Sequence, residues 1–277
     1  MDYWPQLPPV AQLPLRYRSW AWWLRNGPKR AEGTLGGSAM FRLIARSMRG
    51  PAFFTLHADG RPRLTIDLHD FESFHHALPV WYRGDEELGA LQEIMKDGGT
   101  LIDGGANYGA YALRIAQIPG TRVIAVEPQA AVAEALRRSA KENGFARFEV
   151  VEAALSDRSG TAALAVGFGS GSASLERVAP GARNVSVRAI TLDELQAGEV
   201  RCIKLDVEEA EARVLRGGGE TLARCHPVVL FEAGAAQPQD EVFAILRSFG
   251  YTQFVDQSGG PPRLDAALTN VIARRVK

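Results

Sequence analysis

The chain has 277 residues, 46% of them hydrophobic and 23% charged, with 32 basic side chains against 32 acidic ones. That size accommodates one large domain, or a core with a small appendage, and the composition is that of an ordinary globular protein. Zero net charge argues against a general attraction to nucleic acid. Two cysteines are too few for a disulfide framework, and no stretch reaches the length of a membrane span.

Residues 1–50 carry eight basic side chains against Asp2 and Glu32, which leaves the rest of the chain acidic. The proline-rich start, MDYWPQLPPV, lacks the basic residues and continuous apolar run of a signal peptide, so a cytoplasmic location is expected. Trp20, Trp22 and Trp23 then cluster between arginines. Such a segment can pack on the domain or form a homo-oligomer contact, cover a substrate pocket, or touch a membrane surface or nucleic acid; packing is the commonest. Apolar residues at 40, 41, 43, 44 and 48 predict a short helix before Gly50-Pro51. Two runs, 53–56 and 63–68, flank Asp59-Gly60 and predict a β-hairpin. Residues 1–80 are therefore expected to form a small N-terminal appendage, and 81–277 the main domain.

A helix over 86–95, with Leu88, Leu91, Ile94 and Met95 on one side, leads into LIDGGANYG at 101–109. A short strand is expected to leave the sheet at Asp103. Gly104, Gly105 and Gly109 then let the backbone turn tightly and approach a ligand. A helix over 109–118 stops at Pro119-Gly120, and the next strand, 122–127, ends in Glu127. Strand, glycine turn, helix, strand and acid, in that order, suit a nucleoside cofactor whose ribose hydroxyls donate to the acid. The glycines do not follow G-x-G-x-x-G, and Asp103 would repel a pyrophosphate. An NAD-linked oxidoreductase is therefore disfavoured, whereas a cationic ligand with one ribose, such as S-adenosylmethionine, fits. The plainer alternative is an ordinary glycine-rich turn.

A helix over 130–142 is expected to end at Asn143-Gly144, with Asn143 as its C-cap, followed by a strand over 147–154. Short strands at 161–166, 173–175 and 185–190 predict an antiparallel excursion at about 160–190. Alternation then resumes with strand 200–206, helix 208–216, strand 228–232, helix 239–248 and strands 251–256 and 270–275. The pattern predicts an α/β fold: a doubly wound, mostly parallel seven-stranded sheet with an antiparallel end, of the Rossmann-like kind.

Ligands in such sheets collect at the carboxyl ends of the parallel strands. That rule selects Asp103, Glu127, the stretch 152–157, Asp206 with Glu208, and Glu232. Ala153 and Ala154 are small enough to accept an adenine face. Lys204 would share a strand face with Asp206, where it either orients that acid by an ion pair or snorkels to the surface. Cys202, inside a strand, reads as a small buried hydrophobe.

IDGGANYGAYAL, VIAVEP, AALSD, TLDEL and IKLDVEEAE together resemble the FkbM family of S-adenosylmethionine-dependent methyltransferases, over about residues 84–235. The family's D-x-G-A-N-x-G falls on Asp103, Gly105, Ala106, Asn107 and Gly109, its strand-end Glu-Pro on Glu127-Pro128, and its D-V-E-G-x-E on 206–211. Glu209 stands where the family typically has glycine, which puts a bulky charge beside the acceptor cleft. The resemblance implies S-adenosylmethionine held by Asp103, Gly104, Gly105, Asn107, Tyr108, Glu127, Pro128, Ala153, Ala154 and Asp206. It also implies O-methylation of a small-molecule hydroxyl, on a sugar or another secondary metabolite of natural product biosynthesis. The proton-accepting base is expected among Asp206, Glu232 and His226, with His75 or His76 brought over by the N-terminal part. No spacing demands a metal. A cofactor-binding scaffold without turnover is the alternative, favoured by Glu209 and the basic aromatic start; nucleic acid and stable membrane insertion are not expected.

Overall fold

The structure is a computed structural model that describes residues 12, 51–70, 73–167, 173–176, 183–233, 239–262 and 269–276, apart from the side chains at 74, 75, 239 and 269. The tryptophan cluster, the helix expected over 40–48, the loop 169–172 and the side chain of His75 lie outside the described residues.

Strands β1 (Phe53–Leu56) and β2 (Leu64–Asp67) form the expected antiparallel hairpin, with Leu56 opposite Leu64. A single π-helical turn, Ser73–Ala77, runs into α1 (Leu78–Arg83), so the boundary expected at 80/81 falls inside a helix. Leu56, Leu64 and Ile66 belong to the same buried cluster as Leu101 and Val123 of the main domain.

Helix α2 (Glu86–Met95) is capped by Asp85, whose Oδ1 accepts from the Leu88 N–H at 2.8 Å. Then come β3 (Gly99–Gly104), α3 (Ala112–Ile115), β4 (Thr121–Val126) and α4 (Ala130–Glu142). The helix expected over 109–118 is reduced to α3, because residues 105–111 are taken up by the glycine turn. The strand expected over 147–154 is two strands, β5 (Phe148–Val151) and β6 (Ala154–Leu155), in different sheets.

The excursion consists of β7 (Gly160–Val166) and β8 (Arg183–Ile190), antiparallel to each other, with β6 parallel to β8. The chain continues through β9 (Cys202–Leu205), α5 (Glu211–Arg216), α6 (Gly219–Cys225), β10 (Val228–Ala233), α7 (Gln239–Ser248), β11 (Gln253–Asp256) and β12 (Thr269–Arg274). Helix α6 was not legible as a separate element. The helix expected from 208 starts at 211, since Glu208 and Glu209 adopt left-handed backbone with φ of 50° and 77°.

The central sheet has seven strands in the order β11-β12-β10-β9-β3-β4-β5. From β10 to β5 neighbours are parallel, and β12 runs antiparallel to both β10 and β11. Both faces are covered, so β3, β4 and β9 read as near-continuous apolar runs. Leu101, Val123 and Cys202 face the core shared with the hairpin, α1, α2 and α4. Ile102, Ile124 and Ile203 face the core shared with α5, α6 and α7. No helix among the described residues is long and apolar enough to cross a membrane.

Candidate active site

The carboxyl ends of β3, β4, β9 and β10 open on a cavity of about 770 Å³. Its lining includes Gly105, Asn107, Tyr108, Glu127, Pro128, Ala153, Ala154, Asp206 and Glu232, all selected from the sequence. His76, exposed, lines it as well.

The glycine turn is shaped by what it packs against. Gly105 has φ of 77°, and a Cβ there would sit 1.9 Å from the Asp206 carbonyl oxygen. A side chain is therefore excluded both by conformation and by space. Asn107, also left-handed at φ 50°, aims its N–H at Oε2 of Glu127, 3.0 Å away, while its own Oδ1 accepts from the Tyr108 N–H at 2.9 Å. Oε1 of Glu127 accepts from the Gln129 N–H at 2.9 Å. The carboxylate is thus gripped from two sides by backbone; Oε1 also accepts from the Gln129 side-chain amide at 3.4 Å, and Oε2 keeps a lone pair for a ligand hydroxyl. Burial pushes Glu127 up to about 7, against the pull of its bonds from Gln129 and Asn107. The Tyr108 hydroxyl donates to Asp70 Oδ2 at 2.8 Å, which ties the turn to the end of the hairpin.

The other wall is a charge cluster centred on Lys204, which is 1% exposed. Its Nζ lies 3.2 Å from Asp206 Oδ2, 3.5 Å from Glu87 Oε1 and 3.9 Å from Asp103 Oδ1, and 4.8 Å from the centre of the Tyr111 ring. Lys204 therefore orients Asp206 and does not snorkel. Burial works against its charge, but the carboxylates of Asp206, Glu87 and Asp103 outweigh that and raise its pKa.

Three expected site residues lie elsewhere. Asp103 and Gly104 do not line the cavity, because β3 runs through Gly104 and the Asp103 side chain is still inside the sheet, beneath Lys204. Burial raises Asp103 to about 6, and neither of its oxygens accepts a hydrogen bond among the described residues. His226 caps the end of α6, before β10 begins, and bonds to Arg275; it sits at the opposite end of that strand from Glu232 and the cavity. Ser156 and Asp157, at the end of the stretch 152–157, bond to each other at 3.1 Å outside the cavity lining.

The structure adds Asp85, Glu87, Tyr111 and Asn270 to the lining. The Asn270 amide donates to Glu87 Oε2 at 3.0 Å, and the Tyr111 hydroxyl to Asp85 Oδ2 at 2.7 Å. The only signal for Glu87 was its place in the first turn of a predicted helix, where an acid is ordinarily explained by the helix dipole.

The model of the Methyltransferase FkbM domain matches residues 103–252, over half of the chain. The chain belongs to the FkbM methyltransferase family. With the family comes its cofactor, S-adenosylmethionine. Similar solved structures include a methyltransferase FkbM from Methylobacillus flagellatus KT, at 17% identity over 85% of this chain and 58% of that one, TM-score 0.46. The 16S rRNA N2 G1207 methyltransferase of T. Thermophilus, solved with AdoMet and guanosine, aligns at 16% identity over 81% and 50%, TM-score 0.45. The N-terminal domain of EvdMO1 with SAH bound aligns at 14% identity over 89% and 99%, TM-score 0.45. This FkbM chain thus spans 58% and 50% of the length of the first two. No curated protein matches it significantly.

The residues present fit the cofactor. The cavity is within the range that encloses a ligand of this size. Oε2 of Glu127 would accept from a ribose hydroxyl, the small side chains of Ala153 and Ala154 would leave room for the adenine, and the carboxylates around Lys204 would suit a cation.

Proposed function

We propose that this FkbM protein is an S-adenosylmethionine-dependent O-methyltransferase acting on a hydroxyl of a small molecule. The observation that supports this best is Asp206: it leaves the end of β9 into the same cavity that Glu127 and the glycine turn line, and Lys204 fixes its carboxylate from behind at 3.2 Å.

When bound, the cofactor supplies an electrophilic methyl group on a sulfonium, leaving the protein to hold, orient and deprotonate. Glu127 and the turn 105–108 hold the nucleoside. Asp206, held at the cavity by Lys204, would take the acceptor's hydroxyl proton as that oxygen is methylated. Orientation supplies much of the rate in such an in-line displacement, and the base supplies a further part. Glu232 lies on the next strand of the same cavity and is the second candidate for the base.

The test uses the full chain. Calorimetry should show binding of both S-adenosylmethionine and S-adenosylhomocysteine. Label from the methyl donor should pass to a hydroxyl compound in a panel of sugars and polyketides, and Asp206→Asn should cut transfer about 100-fold or more while cofactor binding persists. Cofactor binding with no transfer to any acceptor would favour the scaffold reading; no cofactor binding would overturn both.

A further inference from the structure

We propose that Glu87 is a positioning residue for Asp206: the two carboxylates share the Lys204 ammonium, and Glu87 sets how strongly Asp206 takes a proton from the acceptor. Nothing in the family match reaches Glu87, which lies on α2 ahead of residue 103.

The geometry is specific. Lys204 stands 3.2 Å from Asp206 and 3.5 Å from Glu87, and both carboxylates line the cavity. Glu87 is fixed from its other side by Asn270 on β12, at 3.0 Å. An acid that served only the helix dipole would point to water, and the N-cap role is already filled by Asp85. Glu87 instead turns inward, 8% exposed, onto a buried cation.

The charges make the consequence. One ammonium faces Asp206, Glu87 and Asp103 within 4 Å, so the cluster is over-supplied with negative charge when all are ionised. Glu87 draws on the same ammonium that holds Asp206, so the two carboxylates divide its attraction. The groups facing Glu87 are Lys204 on β9, Asp206 just beyond it, Asp85 at the start of α2, and Tyr111 ahead of α3. Burial raises Glu87 to about 7, Lys204 pulls it back, and Asp206 and Asp85 add to the rise. Asp206 and Glu87 are thus coupled through the ammonium they share, and such coupling is reciprocal.

The inference rests on Asp206 as the base, and its first test does not need the acceptor. Carbon-13 spectra of glutamate carboxyl carbons are followed against pH in the full chain saturated with S-adenosylhomocysteine, the Glu87 signal being the one that Glu87→Gln removes. Its midpoint should lie near neutrality and fall by about one pH unit in Asp206→Asn. Asn270→Leu, which removes the donor to the ionised form, should raise it. An unchanged midpoint in Asp206→Asn overturns the coupling. If Glu87→Gln does not fold, the signal is assigned by its response to Asn270→Leu, and the absence of any signal that answers both variants overturns the proposal equally. In turnover, Glu87→Gln should move the acid limb of the pH–rate profile to lower pH with cofactor affinity unchanged; a profile that only drops in height indicates a structural role. Transfer that survives Asp206→Asn would sink the base assignment while leaving the measured coupling standing.

Discussion

The N–H of Asn107 donates to Oε2 of Glu127 across 3.0 Å, so the glycine turn after β3 and the acid at the end of β4 are one unit. The turn can take this position only because Asn107 adopts a left-handed backbone, which asparagine tolerates better than most residues. What looks like two separate ligand contacts in the sequence is a single frame. Breaking either half should disturb the other.

Glu127→Gln tests that frame. The amide offers one acceptor in place of two, which leaves a backbone N–H of Asn107 or Gln129 facing an NH₂ group. Affinity for S-adenosylhomocysteine should fall about 10- to 100-fold, and stability by about 1–3 kcal/mol. Calorimetry and urea unfolding measure the two losses separately; wild-type affinity in the variant would remove Glu127 from the cofactor site.

Stability should depend on pH in a defined direction. Glu211 is buried and raised from 4.5 to about 7, chiefly by burial, with backbone bonds opposing and Asp206 and Glu232 adding to the rise. Its folded form holds a proton that its unfolded form has released. Its contribution is therefore complete below the unfolded value near 4.5 and is lost as pH rises through about 7. Glu87 and Glu127 have the same sign. Cofactor-free protein should thus lose unfolding free energy between pH 5 and pH 8, and Glu211→Gln should remove about 1–3 kcal/mol of that slope. Urea unfolding at the two pH values checks it.

Glu209 supplies a test in the stabilising direction. Its φ of 77° is glycine territory, and this is the position where the family typically carries glycine. Glu209→Gly should stabilise by about 0.5–1 kcal/mol, raising Tm by about 2 °C. Glu209→Ala keeps the strained backbone and should give no such gain. Thermal unfolding of the pair separates backbone relief from charge removal.

Asn143 should matter more than a helix cap does. Its Oδ1 accepts from the Arg63 N–H at 2.7 Å, and its amide donates to the Arg63 carbonyl at 2.8 Å and to the Ser139 carbonyl at 2.7 Å. It fastens the hairpin to α4. Asn143→Ala should cost about 1–2 kcal/mol and speed hydrogen exchange in β2 more than in β4, because the hairpin loses its clamp. Equal acceleration in both strands would contradict that role.

Periodicity and punctuation carried the fold a long way. The helices at 86–95 and 130–142, the alternation of strands and helices in the α/β part and its antiparallel end were legible because local pattern and final burial agree there. The shortened helix α3 and the late start of α5 were not, because both sites bend the backbone to meet a neighbour rather than to follow a repeat.

The chemistry divides the same way. Sequence by itself placed Gly105, Asn107, Glu127 and Asp206 at one cavity, since each is close to the turn or strand end that aims it, and a local motif can encode a local geometry. Only the tertiary structure decided where the charges meet. Asp103 has suitable chemistry but is sealed beneath Lys204. Glu87 and Asn270, 183 positions apart, bond to each other in the cavity. Contacts of that reach are set by how helices and edge strands pack on the sheet, and no spacing along the chain records them.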